Sequence, residues 1–212
     1  MDELKKWQYR LIAKEMVDIL KSRSYSAYYA ENLQEARKKV LELIPEGVSV
    51  GLGGSTTIKE MGLLDTLRNG KYRLIDRYLP MSWEEEVEKY REAQHADYFL
   101  TGTNAITRNG ELVNVDSSGN RVSAMIFGPQ KVIVVAGANK VVEDLEAAMK
   151  RLKTIAPLNV KRLGHKAPCA ETAKCEDCSV QPRMCNYTTI IHHGMKFEGR
   201  ITVVLVAEEA GF

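Results

Sequence analysis

The sequence predicts an α/β protein on a mostly parallel, Rossmann-like sheet with helices on both faces. Three observations carry this. Short apolar runs alternate with amphipathic stretches along most of the chain. Residues 131–136 (KVIVVA) read as the central strand, apolar without a break after Lys131, the pattern of a strand covered on both sides. Residues 51–57 (GLGGSTT) stand between a strand and a helix, where open parallel sheets bind ligands.

Taken in order, residues 2–22 read as an amphipathic helix, with Leu4, Trp7, Leu11, Met16, Ile19 and Leu20 near a 3.6-residue period. Asn32 followed by Glu35 has capping-box spacing and starts a second helix through Leu43, which Pro45-Glu46-Gly47 ends. Residues 48–52 are a short buried strand, and a helix begins near Ile58. A strand at 72–75 precedes a helix capped by Ser82 and Glu85 that runs to about Gln94. Residues 97–101 form the next strand. Residues 111–115 read as a strand and 122–127 as a strand or a helix, on either side of the turn at Ser118-Gly119-Asn120. After the strand at 131–136 come a helix over 141–155 and a last strand at 201–207. Residues 163–200 lack periodicity and hold every cysteine, so they read as an irregular insertion within a single domain spanning 1–212.

The chain has 212 residues, 44% of them hydrophobic and 27% charged, which fits a globular protein with one sizeable core. Thirty Lys+Arg against 28 Asp+Glu is too balanced for a protein that coats nucleic acid. The longest apolar run, 132–138, falls far short of the roughly 18 residues that span a bilayer. The charged start MDELKKWQYR contains no signal-peptide apolar stretch. The expectation is a soluble cytoplasmic protein without nucleic-acid or membrane partners.

Candidate ligand-binding residues cluster at strand ends. Gly51, Gly53 and Gly54 let backbone approach a ligand, and Ser55, Thr56 and Thr57 add hydroxyl donors. The loop is neither a Walker A sequence nor a GxGxxG dinucleotide pattern. Thr103 and Asn104 follow the strand at 97–101, Asn120 and Arg121 follow Asp116, and Asn139 and Lys140 follow the strand at 131–136. Should these ends share one rim, they make a polar cleft with two cations, suited to a phosphate or a carboxylate. Taken singly, the same residues are ordinary loop formers. Glu111 and Asp116 are the nearest carboxylates for catalysis, or else plain strand-end charges.

The four cysteines, Cys169, Cys175, Cys178 and Cys185, follow a C-x5-C-x2-C-x6-C spacing. A reducing cytosol disfavours disulfides, and four nearby thiolates satisfy tetrahedral zinc or a 4Fe–4S cluster. Redox-active thiols and buried inert thiols are the alternatives. His165, His192 and His193 flank the segment and read as surface residues.

Taken together, GLGGSTT, TGTNAITRNGELVNVDSSGNRVSAMIFGP and VAGANK resemble the LUD-domain family of lactate-utilisation proteins. The tail CAETAKCEDCSVQPRMCNYTTII resembles the cysteine-containing ending of some members. The resemblance implies the fold shared by ribose-5-phosphate isomerase, glucosamine-6-phosphate deaminase and CoA transferases, with GLGGSTT in the place of their phosphate loop. It also implies work in lactate oxidation beside iron–sulfur redox subunits, which favours an iron–sulfur cluster over zinc. Asn104 stands where those isomerases carry an acid, and an amide is no general base. Three functions follow as expectations. The first is an anion-binding component of organic-acid oxidation, taking a phosphate, carboxylate or CoA-type ligand. The second is a non-catalytic assembly subunit whose cleft is empty or docks a partner's loop, with helix 2–22 either a docking element or packed on the chain's own core; a homo-oligomer is a separate expectation. The third is a sugar-phosphate isomerase or CoA transferase.

Overall fold

Asn32 and Ser82, the caps read from the sequence, start helices in the structure, a computed structural model that describes residues 2–212. Asp2 accepts a hydrogen bond from the Leu4 amide and opens α1 (Glu3–Ser22), which leads into β1 (Ser26–Ala30). The Asn32 side chain accepts from the Glu35 amide at the start of α2 (Leu33–Leu43). The Glu35 carboxylate answers to the Glu31 amide, so only half of a capping box forms. After β2 (Ser49–Leu52), Ser55 caps the short α3 (Thr56–Glu60), and α4 (Leu63–Asn69) and β3 (Arg73–Ile75) follow. Ser82 and Glu85 make a full capping box on α5 (Trp83–Ala93). Then come β4 (Tyr98–Thr101), β5 (Ala105–Thr107), β6 (Leu112–Asp116), α6 (Asn120–Ile126) and β7 (Lys131–Gly137). One 3-10 turn (Ala138–Lys140) precedes β8 (Val141–Val142), α7 (Leu145–Arg162), α8 (Cys169–Thr172), β9 (Tyr187–Ile191) and β10 (Ile201–Val206).

The main sheet runs β1-β10-β7-β4-β2-β3 with every pairing parallel. Side chains of α1, α5 and α6 pack against one face and those of α2, α3 and α4 against the other, so β7 and β10 are apolar on both sides. This is the predicted architecture. A second sheet, β8-β5-β6-β9, is mixed, and α7 packs on it through Ala148 and Leu152.

Several local expectations change. Residues 23–31, unassigned by pattern, contain β1, and the segment 163–200 contains β9 hydrogen-bonded along β6. Val141 begins a two-residue strand; the helix waits for its cap at Asp144 and continues through Pro157 to Arg162. Residues 120–126 are helix. In α1 the buried side is Ala13, Met16, Val17 and Leu20, whereas Leu4, Trp7 and Leu11 are 73%, 59% and 52% exposed. Among the described residues no helix is long and apolar enough to cross a membrane.

Candidate functional site

Parallel strands deliver their carboxyl ends to one rim, so the loops after β2, β4 and β7 meet. Between them lies a cavity of about 430 Å³. Gly54, Ser55 and Thr56 line it from the first loop, Thr103 and Asn104 from the second, and Lys140 from the third. Asp116, Asn120 and Arg121 close it from the β6–α6 connection. Nine of the residues singled out from sequence are therefore brought together.

The others support the site from behind. Gly51 sits under α5, where an added Cβ would stand 3.0 Å from the Ala93 Cβ. Gly53 is tighter: its Cβ would fall 2.7 Å from Thr101 Oγ1 and 3.1 Å from Arg121 Cγ. Gly53→Ala is expected to cost about 1–3 kcal/mol by overpacking, read as a lowered denaturant midpoint. Thr57 is buried and donates to the Ala210 carbonyl at 3.0 Å, while Asn139 donates to Gly211 O and accepts from Ala210 N. Both residues strap the C-terminal segment and do not line the cavity. Glu111 is the clearest correction. It lies at the far end of β6 from Asp116, about 15 Å away along extended chain. Its carboxylate accepts from Thr107 Oγ1 at 2.6 Å and pairs with His192 Nδ1 at 3.2 Å, so it stands outside the cleft. Asp116 stays at the cleft as a helix cap, accepting from the Val122 and Ser117 amides.

The two expected cations differ in what they do. Arg121 spends its donors inside the protein. Its Nη1 donates to Asn114 Oδ1 at 2.6 Å and to Gly102 O at 3.3 Å. Its Nη2 donates to Asn104 Oδ1 at 3.0 Å and Val115 O at 2.9 Å, and its Nε stands 3.7 Å from Asp116. It clamps the loops together while bringing positive charge to the wall. Lys140 is 4% exposed and makes its one hydrogen bond, at 3.0 Å, to Thr57 Oγ1; among the described residues it pairs with no carboxylate. Burial first, then the charges of Arg151 and Arg121, push its pKa down to about 7 against a smaller opposing effect of Glu60. A charge this poorly compensated is costly to keep in a folded protein.

Pattern reading missed Arg77, Tyr78 and Tyr90, which also line the cavity. Arg77 follows β3, another strand end of the same rim; that rule was the available signal. Its Nη2 donates to Glu86 at 2.8 Å and to Tyr90 Oη at 2.6 Å, its guanidinium lies 4.4 Å from the Tyr90 ring centre, and its buried Nε has no partner among the described residues. Burial, then the hydrogen bond to Glu86, raises the Tyr90 phenol well above its usual range, so it remains a donor.

All four cysteines are free and line a second cavity of about 280 Å³. Burial and neighbouring thiols raise Cys169 and Cys185 above the usual thiol range. Among the described residues no three Cys, His, Asp or Glu side chains are placed to share one metal ion.

The sequence signature of the LUD domain matches residues 13–206. No curated protein matches the chain. Among solved structures, the chain is similar to a DUF162 family protein from Deinococcus radiodurans, with 13% identity and a TM-score of 0.54 over 93% of this chain and 97% of that one. At that identity the likeness is one of fold. It is similar, with 17% identity and a TM-score of 0.33, to eIF2B delta from Chaetomium thermophilum over 66% of this chain and 54% of that one, too low a score to build on. With the signature matched from the first helix to the last strand, the chain belongs to the LUD domain family.

Proposed function

We propose that the cleft binds a small anion, of phosphate, carboxylate or CoA type, and that the protein serves lactate or other organic-acid oxidation beside iron–sulfur redox subunits. The observation that carries this is Lys140: a cation on the cavity wall, removed from water and without a carboxylate partner among the described residues. Such a group is costly unless a ligand supplies the missing charge. The hydroxyls of Ser55 and Thr56 and the side-chain amide of Asn104 line the same cavity and offer hydrogen bonds to the ligand's oxygens, while the Thr103 hydroxyl donates to the Ala105 carbonyl. Asp116, with both carboxylate oxygens already accepting from backbone amides, fits a structural cap better than a general base, which ranks isomerase or transferase chemistry last.

The proposal extends to an iron–sulfur or zinc site on the cysteine segment: four thiols line one cavity, although among the described residues no three of them are placed to share one ion. A bound cluster would supply reversible one-electron storage, and zinc a structural tie.

Isothermal titration of the full chain with lactate, inorganic phosphate, a sugar phosphate and coenzyme A is the test. Saturable binding of at least one, weakened tenfold or more by Ser55→Ala together with Lys140→Met, is expected. If none of the four binds, the small-molecule reading is wrong, and the solvent-facing stripe Leu4, Trp7 and Leu11 of α1 favours an assembly subunit instead.

A further inference from the structure

Lys140 stands in the cavity wall with little to hold it in its charged form. It comes from the 3-10 turn after β7, lines the cleft and is 4% exposed. Its one hydrogen bond runs to Thr57 Oγ1 at 3.0 Å. The Thr57 hydroxyl gives its own proton to the Ala210 carbonyl at 3.0 Å, so towards Lys140 it can only accept. Gly211 packs against the same pair: a Cβ there would stand 3.2 Å from Lys140 Nζ and 2.6 Å from Thr57 Oγ1. Arg151 and Arg121 oppose protonation of the amine. Glu60 favours it to a smaller extent, through a carboxylate that already accepts from the Gly211 amide at 2.7 Å.

These surroundings make a neutral amine. With its pKa brought down to about 7, the amine carries a free lone pair in about half of the molecules at neutral pH. An exposed lysine at pH 7 is neutral in fewer than about one molecule in a thousand. The neutral amine gives one N–H to Thr57 and keeps its lone pair for an electrophile. Lysines that are desolvated or set beside other cations are the ones that condense with carbonyl compounds. The guanidinium groups that discharge the amine also favour a ligand with negative charge. A 2-oxo acid carries the carbonyl and the carboxylate side by side, and it is what oxidation of a 2-hydroxy acid yields.

We propose that Lys140 is a nucleophile that forms a Schiff base with a small 2-oxo acid in the cleft. The lone pair of the amine makes the N–C bond as the carbonyl π bond opens. Both amine protons leave with the carbonyl oxygen as water, and a C=N bond remains. No oxidant or reductant is consumed, and hydrolysis returns the oxo acid. The inference rests on the same cleft and lysine as the anion reading and adds the carbonyl, which that reading does not require.

The test incubates the full chain at pH 7 with pyruvate and sodium cyanoborohydride, which reduces the C=N bond to a stable amine. Intact-mass and peptide mass spectrometry read the product, and calorimetry with pyruvate and with lactate, which has no carbonyl, is run beside it. A single adduct is expected in the peptide that contains Lys140, formed about a hundredfold faster than at any other lysine. It should be missing from Lys140→Met and from Lys140→Arg. Adducts at other lysines alone, or a rate at Lys140 no faster than theirs, overturn the Schiff base; the map of the native chain decides this whether or not the variants fold. Calorimetric binding of lactate without an adduct at Lys140 overturns the Schiff base and leaves the anion reading standing. An adduct at Lys140 in a chain that binds none of lactate, inorganic phosphate, a sugar phosphate and coenzyme A supports the Schiff base and overturns the anion reading.

Discussion

Lys140→Met is expected to make the protein more stable at pH 6 while weakening its affinity for anions. The two effects have one cause. The folded protein lowers the Lys140 pKa from its usual 10.5 to about 7, chiefly by burial. Below pH 7 the amine is charged in both folded and unfolded chains, and the full cost of burying that charge weighs against folding. Between pH 7 and 10.5 the folded protein has released a proton that the unfolded chain still holds, so this contribution to stability climbs with pH. Above 10.5 both are neutral and the climb ends. One pKa unit corresponds to about 1.4 kcal/mol, so the whole climb is on the order of 3–5 kcal/mol. Methionine fills nearly the same volume and carries no charge, which removes the cost and with it the pH dependence; the lost bond to Thr57 returns about 1 kcal/mol of the gain. The variant should therefore exceed the native chain by about 2–4 kcal/mol at pH 6, several degrees in Tm for a chain of this size. The two should converge near pH 10. Denaturant midpoints at both pH values check this, since titration of other groups cancels in the difference. Anion affinity of the native chain should fall up to tenfold per pH unit above 7 as the amine loses its charge. Equal stability of the two chains at pH 6, or a gap that does not change with pH, would sink the assignment of Lys140 as an uncompensated buried cation. Retaining a residue that weakens the fold is what a binding site requires and a core does not.

Much of this frame is legible in the chain. The apolar run of β7 and the capping residues Asn32 and Ser82 act within a few residues, and local spacing reports them faithfully. The rule that ligands gather beyond parallel strand ends brings Ser55, Asn104, Asn120 and Lys140 to one cavity. What escapes notice depends on distant partners. β5 and β8 are three and two residues long, too short for any period to show, and exist because β6 and β9 extend them into a sheet. The face that α1 buries is set by the small residues Ala13 and Val17, which a count of large apolar side chains overlooks. Thr57 and Asn139 turn from the ligand towards residues 210 and 211, and nothing near them in sequence announces that. Arg77 becomes part of the site only because α5 folds Glu86 and Tyr90 against it.

Arg121→Ala should be the most damaging single change at the cleft. It leaves Asn114 Oδ1, Asn104 Oδ1 and the carbonyls of Gly102 and Val115 without the donor they share, in a place that water reaches poorly. The strength of the clamp is visible in Asn114: its oxygen turns to the guanidinium although its own Nδ2 then finds no partner among the described residues. Removing one member of a buried charged network costs about 3–5 kcal/mol. Asp116 adds to the loss, since its nearest cation is the same Arg121 Nε. Arg121→Lys keeps the charge but replaces a flat fork of five donors with a single ammonium that cannot span acceptors on opposite sides. It is expected to recover less than half of the stability. It should also bind anions at least tenfold more weakly at temperatures where it remains folded, because Thr103 and Asn104 are no longer held to the rim. Full binding by Arg121→Lys would mean that Arg121 contributes charge alone. An Arg121→Ala chain within about 1 kcal/mol of the native one by denaturant midpoint would mean that the loops are held by something other than this residue.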